Sequence, residues 1–291
     1  MSIGRVLLTG ATGLIGRQAS VALGALGYEV VSLSRGGEGL TGDLLVDPQG
    51  IAERAGADNL LHLAWHDGPE RWSSLANLDW INASLTLLRA FARSGGKRAV
   101  MVGSCAEYDW SGDGPLRENT ALRPATLYGA AKAATGIAAM AAARELGLSL
   151  AWARPFFCYG PGEPVGRLFG DIITGLRAGN AVDCTDGLQK RDFLHTADLA
   201  DALASVLRSD IEGPVNIGSG KAVAVRTLVD ELAQALGRPD LINYGARQRP
   251  ANDPEVIVAD VARLRDEVGF SPRFGIREGV GNVLEGGGAS R

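Results

Sequence analysis

Tyr128 and Lys132 stand four residues apart in Tyr128-Gly129-Ala130-Ala131-Lys132, a spacing that sets a phenol and an ammonium on one helical face. A free tyrosine titrates at about 10, too high for efficient proton transfer near neutrality, and a neighbouring cation favours the phenolate. The pair therefore predicts a proton carrier, acid in one direction and base in the other, worth about 10² to 10⁴ in rate. Such a pair is also common by chance on a surface helix. What distinguishes it is Ser104, a hydroxyl placed directly after the apolar run Arg98–Gly103. Ser104, Tyr128 and Lys132 are the candidate catalytic set.

These groups need a frame. Arg5–Thr9, Glu29–Ser34, Leu60–Ala64, Arg98–Gly103 and Leu150–Arg154 are apolar runs too short for helices and read as strands. Helical patterns lie between them, near Leu14–Leu26, Ser73–Arg93 and Thr126–Leu146. The alternation predicts an α/β, Rossmann-type doubly wound parallel sheet with helices on both faces. Ligands of such sheets sit beyond the carboxyl ends of the strands, where Ser104 falls.

Thr9-Gly10-Ala11-Thr12-Gly13-Leu14-Ile15-Gly16 ends the first strand and opens a helix. Gly10 permits the turn, Gly13 lets the backbone approach a pyrophosphate, and Gly16 lets helix and strand pack closely. Free amides at the helix start face the anion. Gly10, Thr12, Gly13, Leu14, Ile15 and Gly16 are thus candidate dinucleotide-binding residues. A site for NAD(H) usually has a carboxylate at the end of the second strand; here that strand ends in Ser34-Arg35, which would bind a 2′-phosphate. NADP(H) is expected over NAD(H), the alternative for Arg35 being a solvated surface charge. Asp43 and Leu44 are placed near the adenine and Leu63 and Ala64 along the cofactor path; each reads equally well as a strand-end residue.

With 291 residues, the chain suits one large unit with a smaller lobe. Residues 1–155 are expected to form the dinucleotide-binding domain, with 181–208 returning to it. Residues 156–180 and 209–284, punctuated by prolines, are expected to form a substrate-binding lobe. The tail 285–291 has too little apolar content to order itself. A net charge of -4 argues against a nucleic-acid surface. No apolar run approaches the roughly 18 residues of a membrane span. The first residues lack signal-peptide architecture, and three cysteines without metal-ligand spacing fit a reducing cytoplasm and no metal site. Cys184 is expected to be a small buried apolar residue.

Five segments occur in one order: the Thr9–Gly16 run, Ser104-Cys105-Ala106-Glu107-Tyr108, Tyr128-x-x-x-Lys132, the run Arg154-Pro155-Phe156-Phe157-Cys158-Tyr159-Gly160-Pro161-Gly162, and Arg191-Asp192-Phe193-Leu194-His195. As a set, from Arg5 to about Val280, they resemble the extended short-chain dehydrogenase/reductases of the nucleotide-sugar epimerase/dehydratase/reductase group. The resemblance implies Tyr128 as acid/base, Lys132 on the nicotinamide ribose, Ser104 on the reacting oxygen, and Pro155 beside the cofactor. It implies a nucleotide-sugar substrate in the cleft between lobes, with Arg191 and Arg249 meeting the diphosphate; for Arg249 the alternative is surface salt bridges. It also implies a homodimer through the helices Ser73–Arg93 and Thr126–Leu146.

Departures from the family pattern narrow the reaction. The dehydratase carboxylates are replaced by Cys105 and Ala106, which leaves water elimination without its proton carriers. Phe157 stands where many members carry Asn beside the sugar nucleotide, and Trp80 where a helix commonly has Asn. Trp65, His66, Trp72 and Trp110 read either as pocket lining or as loop anchors. The leading expectation is an NADPH-dependent reductase of the 4-keto group of a nucleotide-linked 4-keto-6-deoxy sugar, with Tyr128 as proton donor. The alternatives are a nucleotide-sugar 4-epimerase with retained NAD and a non-catalytic NAD(P)-binding sensor or scaffold.

Overall fold

A computed structural model describes residues 3–37, 39–68 and 70–286. The strands are β1 (Arg5–Thr9), β2 (Glu29–Ser34), β3 (Leu40–Thr41), β4 (Asn59–His62), β5 (Arg98–Val102), β6 (Ser149–Pro155) and β7 (Phe157–Tyr159). Beyond these come β8 (Val182–Asp183), β9 (Lys190–His195), β10 (Gly213–Ile217), β11 (Ala222–Ala224), β12 (Ile242–Asn243) and β13 (Val256–Ile257). The α-helices are α1 (Leu14–Ala25), α2 (Pro48–Ala55), α3 (Ala76–Arg93), α4 (Leu127–Leu146), α5 (Leu168–Arg177), α6 (Thr196–Arg208), α7 (Val225–Ala235), α8 (Ala262–Asp266) and α9 (Ile276–Gly286).

Seven strands form one sheet in the order β10-β6-β5-β4-β1-β2-β3, with every pairing parallel. β1 lies inside it, and the strand's two-residue side-chain period divides its core residues between the two faces. Val6 and Leu8 pack with Ala19 and Leu23 of α1 and with Leu199, Leu203 and Leu207 of α6. Leu7 points the other way, into a cluster with Ile51 of α2, Leu87 and Phe91 of α3, and Ala139 of α4. Burial on both faces is why these strands read as continuous apolar runs.

The smaller lobe has β9 between β11 and β13, with β7 also paired to β9, and a β8–β12 pair. Phe169, Ile172 and Leu176 of α5 pack there against Leu228 and Leu232 of α7 and Val280 of α9. Two boundaries differ from the sequence expectation. β10, assigned above to the lobe within 209–284, hydrogen-bonds to β6 as an edge strand of the main sheet. The segment 181–208 divides: β8 and β9 belong to the lobe's sheets, whereas α6 covers the main sheet beside α1. His195 is both the last residue of β9 and the N-cap of α6, so the change of layer occurs at one residue. Of the tail expected at 285–291, Glu285 and Gly286 complete α9, and the rest lies outside the described residues.

Candidate active site

The first turn is built by backbone contact. Gly10 has φ 72°, and a Cβ there would lie 2.8 Å from the Ala64 amide nitrogen. A Cβ on Gly16 would lie 2.0 Å from the Gly10 carbonyl oxygen and 2.8 Å from backbone carbons of Ala11. No side chain caps the helix at Gly13, so the opening amides of α1, those of Leu14, Ile15 and Gly16 among them, are left to a ligand anion. Thr12 lies exposed in the turn. The crevice therefore fits a dinucleotide pyrophosphate. Gly16→Ala should destabilise the fold by about 1–3 kcal/mol, since only backbone can yield. The checks are urea denaturation and loss of the midpoint rise on adding a nicotinamide dinucleotide.

A histidine that the sequence reading passed over fixes the neighbouring strand end. His62 Nδ1 pairs with Thr9 Oγ1 at 2.7 Å and His62 Nε2 with Ser84 Oγ at 2.9 Å, while Thr9 Oγ1 accepts from the Ala64 N–H at 3.2 Å. Burial pushes His62 down to about 3, so the ring stays neutral and the ladder joins β1, β4 and α3. A lone histidine in the apolar run Leu60-Leu61-His62 was the available signal. The ladder brings Leu63 and Ala64 against Gly10; β4 ends two residues earlier than expected, leaving both beyond the strand. At the end of β2, Ser34 donates to the Gly36 carbonyl at 2.8 Å. Arg35 is exposed, and no described carboxylate pairs with it. Asp43 accepts from the Leu45 N–H at 2.9 Å, with Leu44 buried beside it.

Ser104 follows β5 and caps the single 3₁₀ turn Cys105–Glu107; its hydroxyl accepts from the Ala106 N–H at 3.1 Å, and its own N–H donates to Glu107 Oε1 at 2.8 Å. Tyr128 sits in the first turn of α4, set by the Thr126 cap on the Gly129 N–H at 3.1 Å. One turn on, Lys132 crosses to β5 and donates to the Val102 carbonyl at 2.7 Å. The structure thus brings Ser104, Tyr128 and Lys132 to one strand end. Burial raises the Tyr128 phenol to about 12, opposed by the Ser104 hydroxyl and Arg71, because desolvation outweighs nearby charge. Burial also pushes Lys132 down to about 7, with Glu107 opposing.

Glu107, fully buried, was seen in the sequence but its role was not. It accepts from Arg154 Nε at 2.7 Å and from Trp152 Nε1 at 3.0 Å, beneath Ser104. The tryptophans divide. Trp72 meets the Tyr128 ring edge-on at 5.2 Å, and its carbonyl accepts the Tyr128 N–H. Trp65 lays its ring on Lys132, and Trp80 packs 6.2 Å from Trp65. Trp110 is a loop anchor, donating to the Cys105 carbonyl at 2.9 Å, and His66 folds onto Gly68.

In the lobe, Arg191 is buried and ion-paired with Asp253, and Arg249 Nε lies 3.5 Å from the same carboxylate. Arg249 also pairs with Glu255 at 3.1 Å, so convergence and surface salt bridging are both present. Asp253 was not anticipated; an acid four residues after Arg249 was its only trace. Phe157 packs 6.0 Å from Phe193 with the Arg191 guanidinium 5.6 Å from its ring, and Pro155 closes buried β6. Nearby, a cavity of about 220 Å³ is lined by Leu168, Val182, Cys184, Val229 and Tyr244. Cys184 is therefore a half-buried wall residue rather than a core one. Arg247 joins this cavity to a hollow flanked by Arg249. Among the described residues, no group of three His, Cys, Asp or Glu could hold a metal, and no helix is long and apolar enough to cross a membrane.

A parallel sheet with a glycine crevice after its first strand and a Ser/Tyr/Lys set after β5 defines an extended short-chain dehydrogenase/reductase. The chain belongs to the NAD dependent epimerase/dehydratase family, whose model matches residues 6–218. It is 30% identical to a dTDP-6-deoxy-L-talose 4-dehydrogenase (NAD(P)(+)) of Kitasatospora kifunensis, over 95% of this chain and 93% of that one. It is 25% identical to a UDP-glucose 4-epimerase of Corynebacterium glutamicum, over 92% and 91%. Among solved structures, MoeE5 in complex with UDP-glucose and NAD is 32% identical with a TM-score of 0.83, covering 97% of this chain and 98% of that one.

Proposed function

We propose that this enzyme is an NADPH-dependent reductase of the 4-keto group of a nucleotide-linked 4-keto-6-deoxy sugar. The observation that carries the reading is the meeting of the half-buried Tyr128 phenol with the Ser104 hydroxyl and the Lys132 ammonium at the end of the sheet. Bound NADPH supplies the hydride. Ser104 holds the carbonyl oxygen by hydrogen bond while Tyr128 donates its proton to that oxygen. The charged Lys132, anchored on Val102, favours the phenolate that results and orients the cofactor ribose. Gly10 to Gly16, with Leu63, Ala64 and Pro155, hold the dinucleotide, and Asp43 and Leu44 flank the adenine. Arg191 and Arg249 take the substrate diphosphate, with Phe157 at the sugar and the cavity beside Arg247 for the base. Elimination is disfavoured because Cys105 and Ala106 carry no acid and Glu107 is committed to Arg154. The retained catalytic set argues against a mere sensor.

The choice of NADPH rests on Ser34 and Arg35. Arg35→Ala should raise the Kd for NADPH about tenfold and leave that for NADH nearly unchanged, as an exposed charge-assisted contact to one phosphate is worth about 1.5–3 kcal/mol at most. Equal effects on both cofactors, measured by fluorescence titration, would defeat the assignment. A second reading, a 4-epimerase retaining NAD, is favoured by the 4-epimerases among the relatives. A panel of nucleotide-linked 4-keto sugars and ordinary nucleotide sugars, followed at the nicotinamide absorbance, decides: a reductase consumes one NADPH per product, and an epimerase consumes none. The reading includes a homodimer through α3 and α4, whose outer faces expose Leu78 and Ile137, to be checked by analytical ultracentrifugation.

A further inference from the structure

Lys132 is nearly sealed from water, and its ammonium has few partners. Nζ donates to the Val102 carbonyl at 2.7 Å and lies 3.9 Å from the centroid of the Trp65 ring. The charged and titratable groups facing it are Glu107 from the turn after β5 and His62 from β4, with Tyr128 one turn earlier on its own helix. None of them supplies a direct counter-charge. Glu107 is already tied to Arg154, Trp152 and the Ser104 N–H. His62 is neutral and locked between Thr9 and Ser84. The indole face is therefore the principal contact, besides one carbonyl, that favours the cation over the neutral amine.

The ring is also held in place. Trp65 Nε1 donates to Asn77 Oδ1 at 2.8 Å; Asn77 is fully buried and its amide donates to the Arg71 and Ser74 carbonyls at 2.8 Å each. Trp80 packs against the Trp65 ring, tilted, at 6.2 Å. A tryptophan pinned at its only polar atom and packed against a second ring cannot rotate its face away from Lys132.

We propose that Trp65 is a positioning residue, its fixed indole face holding the Lys132 ammonium at the end of β5 and keeping it charged for the reaction. The inference rests on the catalytic reading of Lys132 given above. Burial has already brought Lys132 to about 7, so losing the ring removes the charge in the neutral range. The sign follows: a cation–π contact favours the protonated form, and without it Lys132 loses its proton at lower pH.

The chain contains only Lys97, Lys132, Lys190 and Lys221, and the other three are exposed, which makes Lys132 observable by NMR in protein labelled with ¹³C-lysine. In the native chain, the Lys132 ε-methylene protons should be displaced upfield by the ring current. In Trp65→Leu that displacement should vanish and the titration midpoint should fall by about 0.4–1.5 pH units. The alkaline limb of the turnover profile, read as NADPH oxidation, should move down by the same amount. Trp65→Phe should show a smaller shift in the same direction and serves if the leucine variant does not fold. An unchanged midpoint in whichever variant folds, or no upfield displacement in the native protein, overturns the proposal. Tyr128→Phe separates the two ideas. Full turnover there sinks the catalytic reading, while the Lys132 resonance still reports the contact with Trp65.

Discussion

Tyr128→Phe should lower turnover at least about a hundredfold while leaving NADPH affinity within a factor of two of the native value. The substitution removes one oxygen from a half-buried ring and keeps the aromatic ring that meets Trp72 edge-on. The ring, the backbone hydrogen bond to Trp72 and the α4 cap all remain. On the proposed reading, what is lost is the proton that must reach the sugar oxygen as hydride arrives. Single-turnover measurement with saturating cofactor is the appropriate test, because it separates the chemical step from product release. Turnover close to native would take the phenol out of the mechanism and leave Ser104 as the only hydroxyl at this strand end.

Arg154→Met should destabilise the fold by about 3–5 kcal/mol, read as a drop in the urea midpoint at unchanged slope. Both members of the Arg154–Glu107 pair are almost wholly excluded from water, and the pair is 2.7 Å apart. Removing the guanidinium leaves Glu107 with the Ser104 and Trp152 N–H groups but no counter-charge, and also strips Tyr108 of a hydrogen-bond donor. The double variant with Glu107→Gln should recover part of the loss, because the uncompensated charge is gone. A single-variant cost below about 1 kcal/mol would mean that water reaches the carboxylate. The pair also matters for chemistry, since Glu107 fixes the backbone of Ser104 from below.

The parts of the molecule readable in advance are those whose signal is local. β1 and β2 have the expected limits because each is a short apolar run closed by a turn or polar residue, and α4 is bracketed by Thr126 and a left-handed Gly147. α3 begins three residues later than its apolar pattern suggests, because Ser73 and Ser74 bond back to Glu70 in a turn. The smaller lobe was opaque for a different reason: strands of two or three residues carry no usable periodicity. β10 was misplaced on account of Pro214, and its position explains the residue, since an edge strand tolerates a missing N–H where an inner strand does not. At the site, the placement of Ser104, Tyr128, Lys132 and the glycines was legible because each follows a strand or opens a helix that the local pattern already marks. His62 with Ser84, Glu107 with Arg154, and Arg191 with Asp253 join residues 22, 47 and 62 positions apart, and no pattern within one element reveals such partners.

Three of the five tryptophans, Trp65, Trp72 and Trp80, gather on the wall beside Tyr128 and Lys132. Indole emission overlaps the absorption band of a reduced nicotinamide, so a dihydropyridine ring arriving here would drain their excited state by resonance transfer. The protein thus carries its own optical gauge of occupancy, usable without a dye and sensitive to whether the ring at that wall is reduced or oxidised.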